Sequence, residues 1–127
     1  ALVLEREILA KRRDLSRDNQ NTFLAALNLI IGYVNHTQFD EARTVLREFL
    51  PAARRKLGPD HDITLTMRRN EAIAVSQDAA ATQDDMVRAE SILVDVLKRR
   101  RRVFGAQHPQ TTNDQHWVGV LEDVLGP

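Results

Sequence analysis

The sequence predicts an all-α fold, a right-handed α-solenoid of about six helices arranged as antiparallel hairpins. Three observations support this prediction. Apolar residues recur at three- and four-residue steps, which is the period of an amphipathic helix. No segment shows the alternation of apolar and polar residues that marks a half-buried strand. A turn pattern also recurs at long spacing, so the helices form repeated units that bury their apolar faces by stacking.

The recurring turn contains a glycine, a histidine three residues later and a threonine three residues after that. It occurs as LGPDHDITL at 57–65 and as FGAQHPQTT at 104–112, so that Gly58 and Gly105 stand 47 residues apart. A weaker copy lies 42 residues before Gly58, where the three positions hold Ser16, Asn19 and Thr22. Two full copies and one weak copy indicate a repeated structural unit.

The similarity between units extends well outside the turn. Ala42 and Ala89 each stand sixteen residues before the turn glycine, beside a glutamate. Basic pairs precede the turn at the same place in all three copies, at 12–13, 54–55 and 101–102. We therefore expect a single repeat domain over 1–127, part of a longer array, with units at about 1–19, 20–61, 62–108 and 109–127.

The first three helices are predicted at about 2–14, 20–35 and 39–57. The segment 20–35 has one apolar stripe, formed by Phe23, Leu27, Ile30, Ile31 and Val34. A longer stripe follows in 39–57, formed by Phe39, Ala42, Val45, Leu46, Phe49, Leu50, Ala53 and Leu57. Pro51 interrupts that stripe, and since an interior proline removes a backbone hydrogen bond, we expect a kink or a break there.

The last three helices are predicted at about 62–78, 84–104 and 109–125. Gly58 and Gly105 sit just past the ends of the helices before them, and Pro109 sits where a first helical turn tolerates proline. Five extra residues in SQDAAATQDD are expected to lengthen the second hairpin. The turn itself is then a connection between helices.

Composition excludes several classes of function. Eighteen Lys and Arg balance eighteen Asp and Glu, so no net field attracts nucleic acid, an acidic substrate or a membrane surface. The chain has no cysteine, which excludes disulfides, thiol catalysis and thiolate metal sites and favours a cytoplasmic address. No apolar stretch approaches the ~18 residues of a membrane span, so a soluble protein is expected.

No motif for catalysis or for a cofactor occurs. The sequence lacks HExxH, GxSxG, a phosphate-binding loop and a dinucleotide fingerprint, so we expect no enzyme, no cofactor and no metal. His61 and His108 belong to different repeats, which stacking would separate by about 10 Å. A zinc ion needs its ligands within ~2.0–2.3 Å, so these histidines are predicted to be structural.

The run KRRRR at 98–102 has two interpretations. It could bind phosphates or serve as a nuclear import signal. However, five consecutive helical residues point all the way round the helix, and only Phe104 is near for stacking on bases. Basic residues also recur there in every unit, so we interpret them as last-turn cations that interact with the helix dipole.

These features together resemble the tetratricopeptide repeat, and specifically the long variant of the kinesin light chains. The resemblance rests on the glycine, histidine and threonine of the turn, the upstream alanine, and an asparagine six residues after the threonine, present as Asn28 and Asn70. Trp117 stands in the asparagine column of the last unit, which departs from that pattern. The resemblance implies a scaffold that binds a protein or peptide in a concave groove lined by the first helix of each pair.

By the same register, the resemblance assigns a peptide-binding role to Asn28 and Asn70, which are expected side by side. Arg69 and His116 could contact a carboxylate or phosphate, and Trp117 could be an aromatic anchor. The alternative is that these are solvated polar positions without a ligand. The full predicted groove comprises Asn28, Ile31, Asn35, Thr66, Arg69, Asn70, Ile73, Gln77, His116 and Trp117.

Two other functions stay open. The helices at 2–14 and 109–125 are half-hairpins with open apolar faces, so either more chain follows or these ends pair between molecules. The protein would then be a self-assembly element and a homo-oligomer. A nucleic-acid-associated domain that uses the basic runs is the second alternative.

Overall fold

The computed structural model describes residues 20–126, and all regular secondary structure in that range is helical. The five helices are α1 Gln20–Asn35, α2 Phe39–Lys56, α3 Asp62–Gln77, α4 Gln83–Phe104 and α5 Pro109–Leu125. The predicted boundaries agree with these to within one residue. The helix expected at 2–14 lies outside the described residues.

The helices pack as successive hairpins. Helix α1 packs against α2, and α3 packs against α4, each pair joined by a short connection. Helix α2 also contacts α3, α4 contacts α5, and α1 contacts α3. The first helices of the two complete hairpins are therefore neighbours, as the repeat prediction requires. No helix within 20–126 combines the length and the apolar character that crossing a membrane demands.

The core forms two clusters, as expected when each hairpin packs on the next. One cluster joins α1, α2 and the start of α3, and the other joins α3, α4 and α5. Ala42 and Ala89, the paired alanines of the two units, are both 0% exposed, one in each cluster. A larger side chain at either position would push two packed helices apart.

The second hairpin is longer than the first mainly because α4 is longer than α2. Helix α4 has 22 residues and α2 has 18, while the connection at 78–82 is only two residues longer than that at 36–38. Thr82 is the N-cap of α4 and forms a capping box, since its hydroxyl accepts from the N–H of Asp85 and the Asp85 carboxylate accepts from the N–H of Thr82. Residues 83–85 of the SQDAAATQDD segment thus lie in the first turn of α4.

Pro51 does not break its helix. Helix α2 runs without interruption from Phe39 to Lys56, and Pro51 is exposed in its fourth turn. Of the two alternatives, a kink or a break, the break into two helices is therefore wrong. Apolar residues before and after the proline, including Phe49, Leu50 and Ala53, lie in one core cluster, and this packing holds the helix together across the lost hydrogen bond.

Candidate functional site

The two copies of the turn form equivalent helix N-caps. His61 precedes α3 and His108 precedes α5, and each Nδ1 accepts a hydrogen bond at 3.1 Å from the backbone N–H two residues ahead. Gly58 and Gly105 have φ of +99° and +89°, a region that favours glycine. Each histidine therefore satisfies one of the free N–H groups at the start of a helix.

Arginines of the run at 98–102 are bound within the molecule. Arg99 donates to Asp95 and to Asp60, both at 2.9 Å, and Arg102 donates to Asp60 at 3.1 Å. Hydrogen bonding from Arg99 lowers the pKa of Asp60; desolvation opposes this effect and Arg102 adds to it. The run thus ties α4 to the turn before α3, in addition to placing Arg101 and Arg102 in the last turn.

Arg100 departs from the interpretation of the run as dipole-facing surface cations. It is 0% exposed, and its Nε donates to Oδ2 of Asp114 at 2.9 Å. Its Nη2 donates to the Thr66 hydroxyl at 3.1 Å, and its Nη1 contacts the Asp62 carboxylate. The surface interpretation is wrong for Arg100, because a buried guanidinium needs partners that a helix end alone does not supply.

Asp114 on α5 is shared between two arginines. It is 0% exposed, and its Oδ1 accepts from Nη1 of Arg69 at 2.9 Å while its Oδ2 accepts from Arg100. The same Nη1 of Arg69 also donates to Gln110 at 2.8 Å. One buried carboxylate therefore links α3, α4 and α5, and it fixes the Arg69 side chain.

A groove of about 430 Å³ crosses the first helices α1, α3 and α5, and it lies beside this network. Arg69, Asn70, Ile73 and Gln77 supply its α3 side, and Trp117 supplies part of its α5 side. The volume falls in the range of ligand sites in proteins. The complete lining comprises Ile31, Val34, Asn35, Thr37, Phe39, Arg69, Asn70, Ile73, Gln77, Asn113 and Trp117.

One comparison with known proteins matches the segment around α4, next to the groove residues of α3 and α5 in the chain. Residues 78–110 match the family model of the tetratricopeptide repeat. A comparison with curated proteins gave no significant match. The matched residues contain all of α4 and the turn before α5, and the all-helical fold agrees with such repeats. The match supports a tetratricopeptide repeat protein, and such repeats generally serve as protein-interaction scaffolds.

Seven of the ten residues predicted from the repeat register line the groove, and Asn28, Thr66 and His116 do not. Asn28 is exposed on α1, outside the lining. Thr66 is buried, and its hydroxyl accepts a hydrogen bond from Arg100 inside the protein. His116 is exposed and packs edge-on against Trp117, with ring centroids 5.6 Å apart.

The two asparagines of the tetratricopeptide register differ in environment. Asn28 is exposed, whereas Asn70 is 5% exposed and its Nδ2 donates to the backbone oxygen of Thr66 at 2.9 Å. Asn70 reaches the groove and Asn28 does not, so an amide pair side by side in the groove is not formed. In the same column Trp117 reaches the groove.

Four groove residues were not predicted from the sequence. Val34 was assigned only to the apolar stripe of α1, and Asn113 lies one turn before Trp117 on α5. Thr37 and Phe39 belong to the connection between α1 and α2 and to the start of α2. The prediction from the repeat register covered residues of the first helices alone. Extending it by one turn along those helices would have found Val34 and Asn113, but not Thr37 or Phe39.

Proposed function

We propose that this protein is a peptide-binding scaffold that holds an extended segment of a partner protein in the groove across α1, α3 and α5. The observation that carries the proposal is the groove itself, which combines amide and apolar side chains from three successive first helices. The matched tetratricopeptide repeat supports this role, because the family is generally a protein-interaction scaffold. The role requires no catalysis and no cofactor.

The lining suits an extended backbone. Asn35, Asn70 and Gln77 carry amides that offer both donors and acceptors to peptide groups. Ile31 and Ile73 supply apolar surface in the same groove for the side chains of the segment. Because each hydrogen bond contributes only ~0.5–1.5 kcal/mol net, the affinity should depend on an anchor contact.

Trp117 is the best candidate for that anchor. It is half-buried at the groove, and its ring is partly supported by His116. Tryptophan is among the residues that contribute most to binding at protein interfaces. A partner side chain that packs on this ring would gain both apolar contact and a fixed position.

We further propose the long, kinesin light chain-like type of repeat and a cytoplasmic address. The 47-residue spacing of the turn glycines and the matching histidine caps support the first. The absence of cysteine supports the second. Association between copies through α5 is a further expectation, since Val124 on that helix is 58% exposed.

The test begins with selection of binders from a random peptide library displayed on phage. A synthetic copy of an enriched peptide is then titrated calorimetrically against the parent protein, Trp117→Ala and Gln77→Ala. We expect at least a tenfold loss of affinity for Trp117→Ala and a several-fold loss for Gln77→Ala.

Asn28→Ala is the matched control, because it removes an exposed amide of a first helix outside the groove. Its affinity should equal that of the parent, and melting curves should show all variants folded. If Trp117→Ala and Gln77→Ala bind the peptide as tightly as Asn28→Ala does, the binding surface lies elsewhere and the proposal is refuted. Sedimentation of the same samples reports whether copies associate.

A further inference from the structure

We propose that the groove selects uncharged extended segments and discriminates against acidic ones. This inference rests on the proposed peptide-binding function and names the chemistry of its partner. Arg69 is the single ionisable side chain among the groove residues that the structure describes. The electrostatic character of the groove therefore depends on whether the charge of Arg69 is free.

The charge of Arg69 is already balanced inside the protein. Its Nη1 lies 2.9 Å from a carboxylate oxygen of Asp114, which is 0% exposed. Asp114 also forms an ion pair with Arg100, and Arg100 has Asp62 as a second carboxylate partner. Two guanidinium groups thus face two carboxylates, and no net positive charge remains at this end of the groove.

An acidic ligand would therefore find no free counter-ion. Its carboxylate would have to share the Arg69 guanidinium with Asp114, and two carboxylates held close together repel each other. This inference is an alternative to the sequence-based prediction that Arg69 contacts a ligand carboxylate or phosphate. Removing an ionised group from water without a partner is far more costly than removing a hydrogen-bonded amide.

Neutral amides make up most of the remaining polar lining. Asn35, Gln77 and Asn113 are exposed and come from α1, α3 and α5, and Asn70 lies more deeply. Amides hydrogen-bond to peptide groups and to Asn, Gln, Ser or Thr side chains without a change in net charge. The complementary partner is an extended segment rich in these residues, with an apolar residue for the Trp117 anchor.

The experiment compares three defined probes. The first is the peptide enriched from the phage library, labelled with a fluorophore. In the second peptide, every Asn, Ser and Thr is replaced by Asp, and every Gln is replaced by Glu. The third carries Lys at the same positions. We expect the acidic and basic peptides to bind at least tenfold more weakly than the neutral one, measured by anisotropy.

Charge-introducing variants provide the reciprocal test. Gln77→Lys and Asn113→Lys place a free cation in the groove at exposed positions that tolerate it. Both should shift preference toward the acidic peptide by about tenfold, and this gain should shrink as salt rises from 50 to 500 mM because ionic attraction is screened. Ser91→Lys, at an exposed position of α4 outside the groove, should leave the preference unchanged.

The outcomes separate the inference from the proposed function. If the parent protein prefers the acidic peptide and Trp117→Ala abolishes that binding, the groove binds peptides but the charge inference is wrong. If no library peptide binds, or if Trp117→Ala and Gln77→Ala leave binding unchanged, both the function and the inference are wrong. Preference for the neutral peptide, lost in Trp117→Ala, supports both.

Discussion

Arg69 on α3 and Asp114 on α5 form a buried ion pair, with 2.9 Å between Nη1 and Oδ1. The two side chains are 8% and 0% exposed. The pair joins first helices that belong to successive repeats, and it borders the groove on the side of Trp117. Groove shape and repeat stacking therefore depend on the same contact.

Replacing Asp114 by asparagine should strongly destabilise the protein. Two buried guanidinium groups, those of Arg69 and Arg100, would lose a shared carboxylate, and breaking a buried pair typically costs about 3–5 kcal/mol. Urea unfolding followed by circular dichroism measures this loss. Asp40→Asn is the control, because the pair between Asp40 and Arg43 involves a carboxylate that is 89% exposed, and it should change stability little. Equal effects of the two changes would contradict the prediction.

Helix positions followed well from the sequence because they depend on local patterns. The stripe from Phe39 to Leu57 and the glycines after α2 and α4 specify where helices begin and end, and the described helices agree. The turn spacing also predicted which helices are neighbours. These features require only short-range periodicity and the repetition of one unit.

Side-chain environments followed less well, because they depend on contacts between units. Arg100 belongs to a run whose charge predicts exposure to solvent. It is nevertheless buried, and it donates to the carboxylate of Asp114 fourteen residues later. Asn28 and Asn70 share a register position, yet Asn28 is exposed whereas Asn70 is 5% exposed and lines the groove together with residues of α1 and α5. Equivalent positions of two repeats differ in burial when their neighbouring side chains differ, and a single register cannot express that difference.

The histidine caps make a second prediction. His108→Ala should lower the free energy of unfolding by about 0.5–2 kcal/mol, the usual effect of removing an N-cap acceptor. His108→Asn keeps a side-chain acceptor at the N-cap and should retain most of the stability. The same pair of changes at His61 should behave alike, because its Nδ1 makes the equivalent bond. If the alanine and asparagine variants are equally stable, the caps do not contribute as argued.

Acid should destabilise the protein through its paired aspartates. Burial alone would raise the pKa of Asp95, but hydrogen bonds from Arg68 and Arg99 outweigh burial and lower the pKa. A carboxyl whose pKa is lower in the folded state contributes stability above its unfolded pKa of ~3.9 and loses it as pH falls through the folded value. Unfolding free energy should therefore fall as pH drops from about 5 toward 2.

Asp95→Asn tests the origin of that fall. The variant should be less stable than the parent at pH 7 and should lose less stability between pH 5 and pH 2, measured by urea unfolding at each pH. Asp84→Asn changes an exposed aspartate on the same helix and serves as the control, with a pH profile like that of the parent. A parent-like profile for Asp95→Asn would show that its ion pairs contribute nothing to the acid response.

Thr37 stores backbone strain at the edge of the groove. Its φ is +57°, and the other positive-φ positions in residues 20–126 are glycines. A left-handed conformation costs a residue with a Cβ roughly 1–2 kcal/mol, and a β-branched side chain is especially unfavourable there. Backbone hydrogen bonds hold the turn in place, including that from the N–H of Gln38 to the oxygen of Tyr33 at 2.8 Å. Strain of this kind is often found at binding sites.

Thr37→Asn should therefore stabilise the protein by about 0.5–1 kcal/mol, because asparagine tolerates the left-handed region better than threonine. Thr37→Val keeps the branched shape and should show no gain, which makes it the matched control. Thermal and urea unfolding measure both variants, and anisotropy with the selected peptide measures the groove. Thr37 lines the groove. An unchanged peptide affinity in the stabilised variant would show that the backbone conformation of the turn, and not the Thr37 side chain, shapes the groove. A loss of stability in Thr37→Asn would mean that the hydroxyl of Thr37 outweighs the strain, contrary to this prediction.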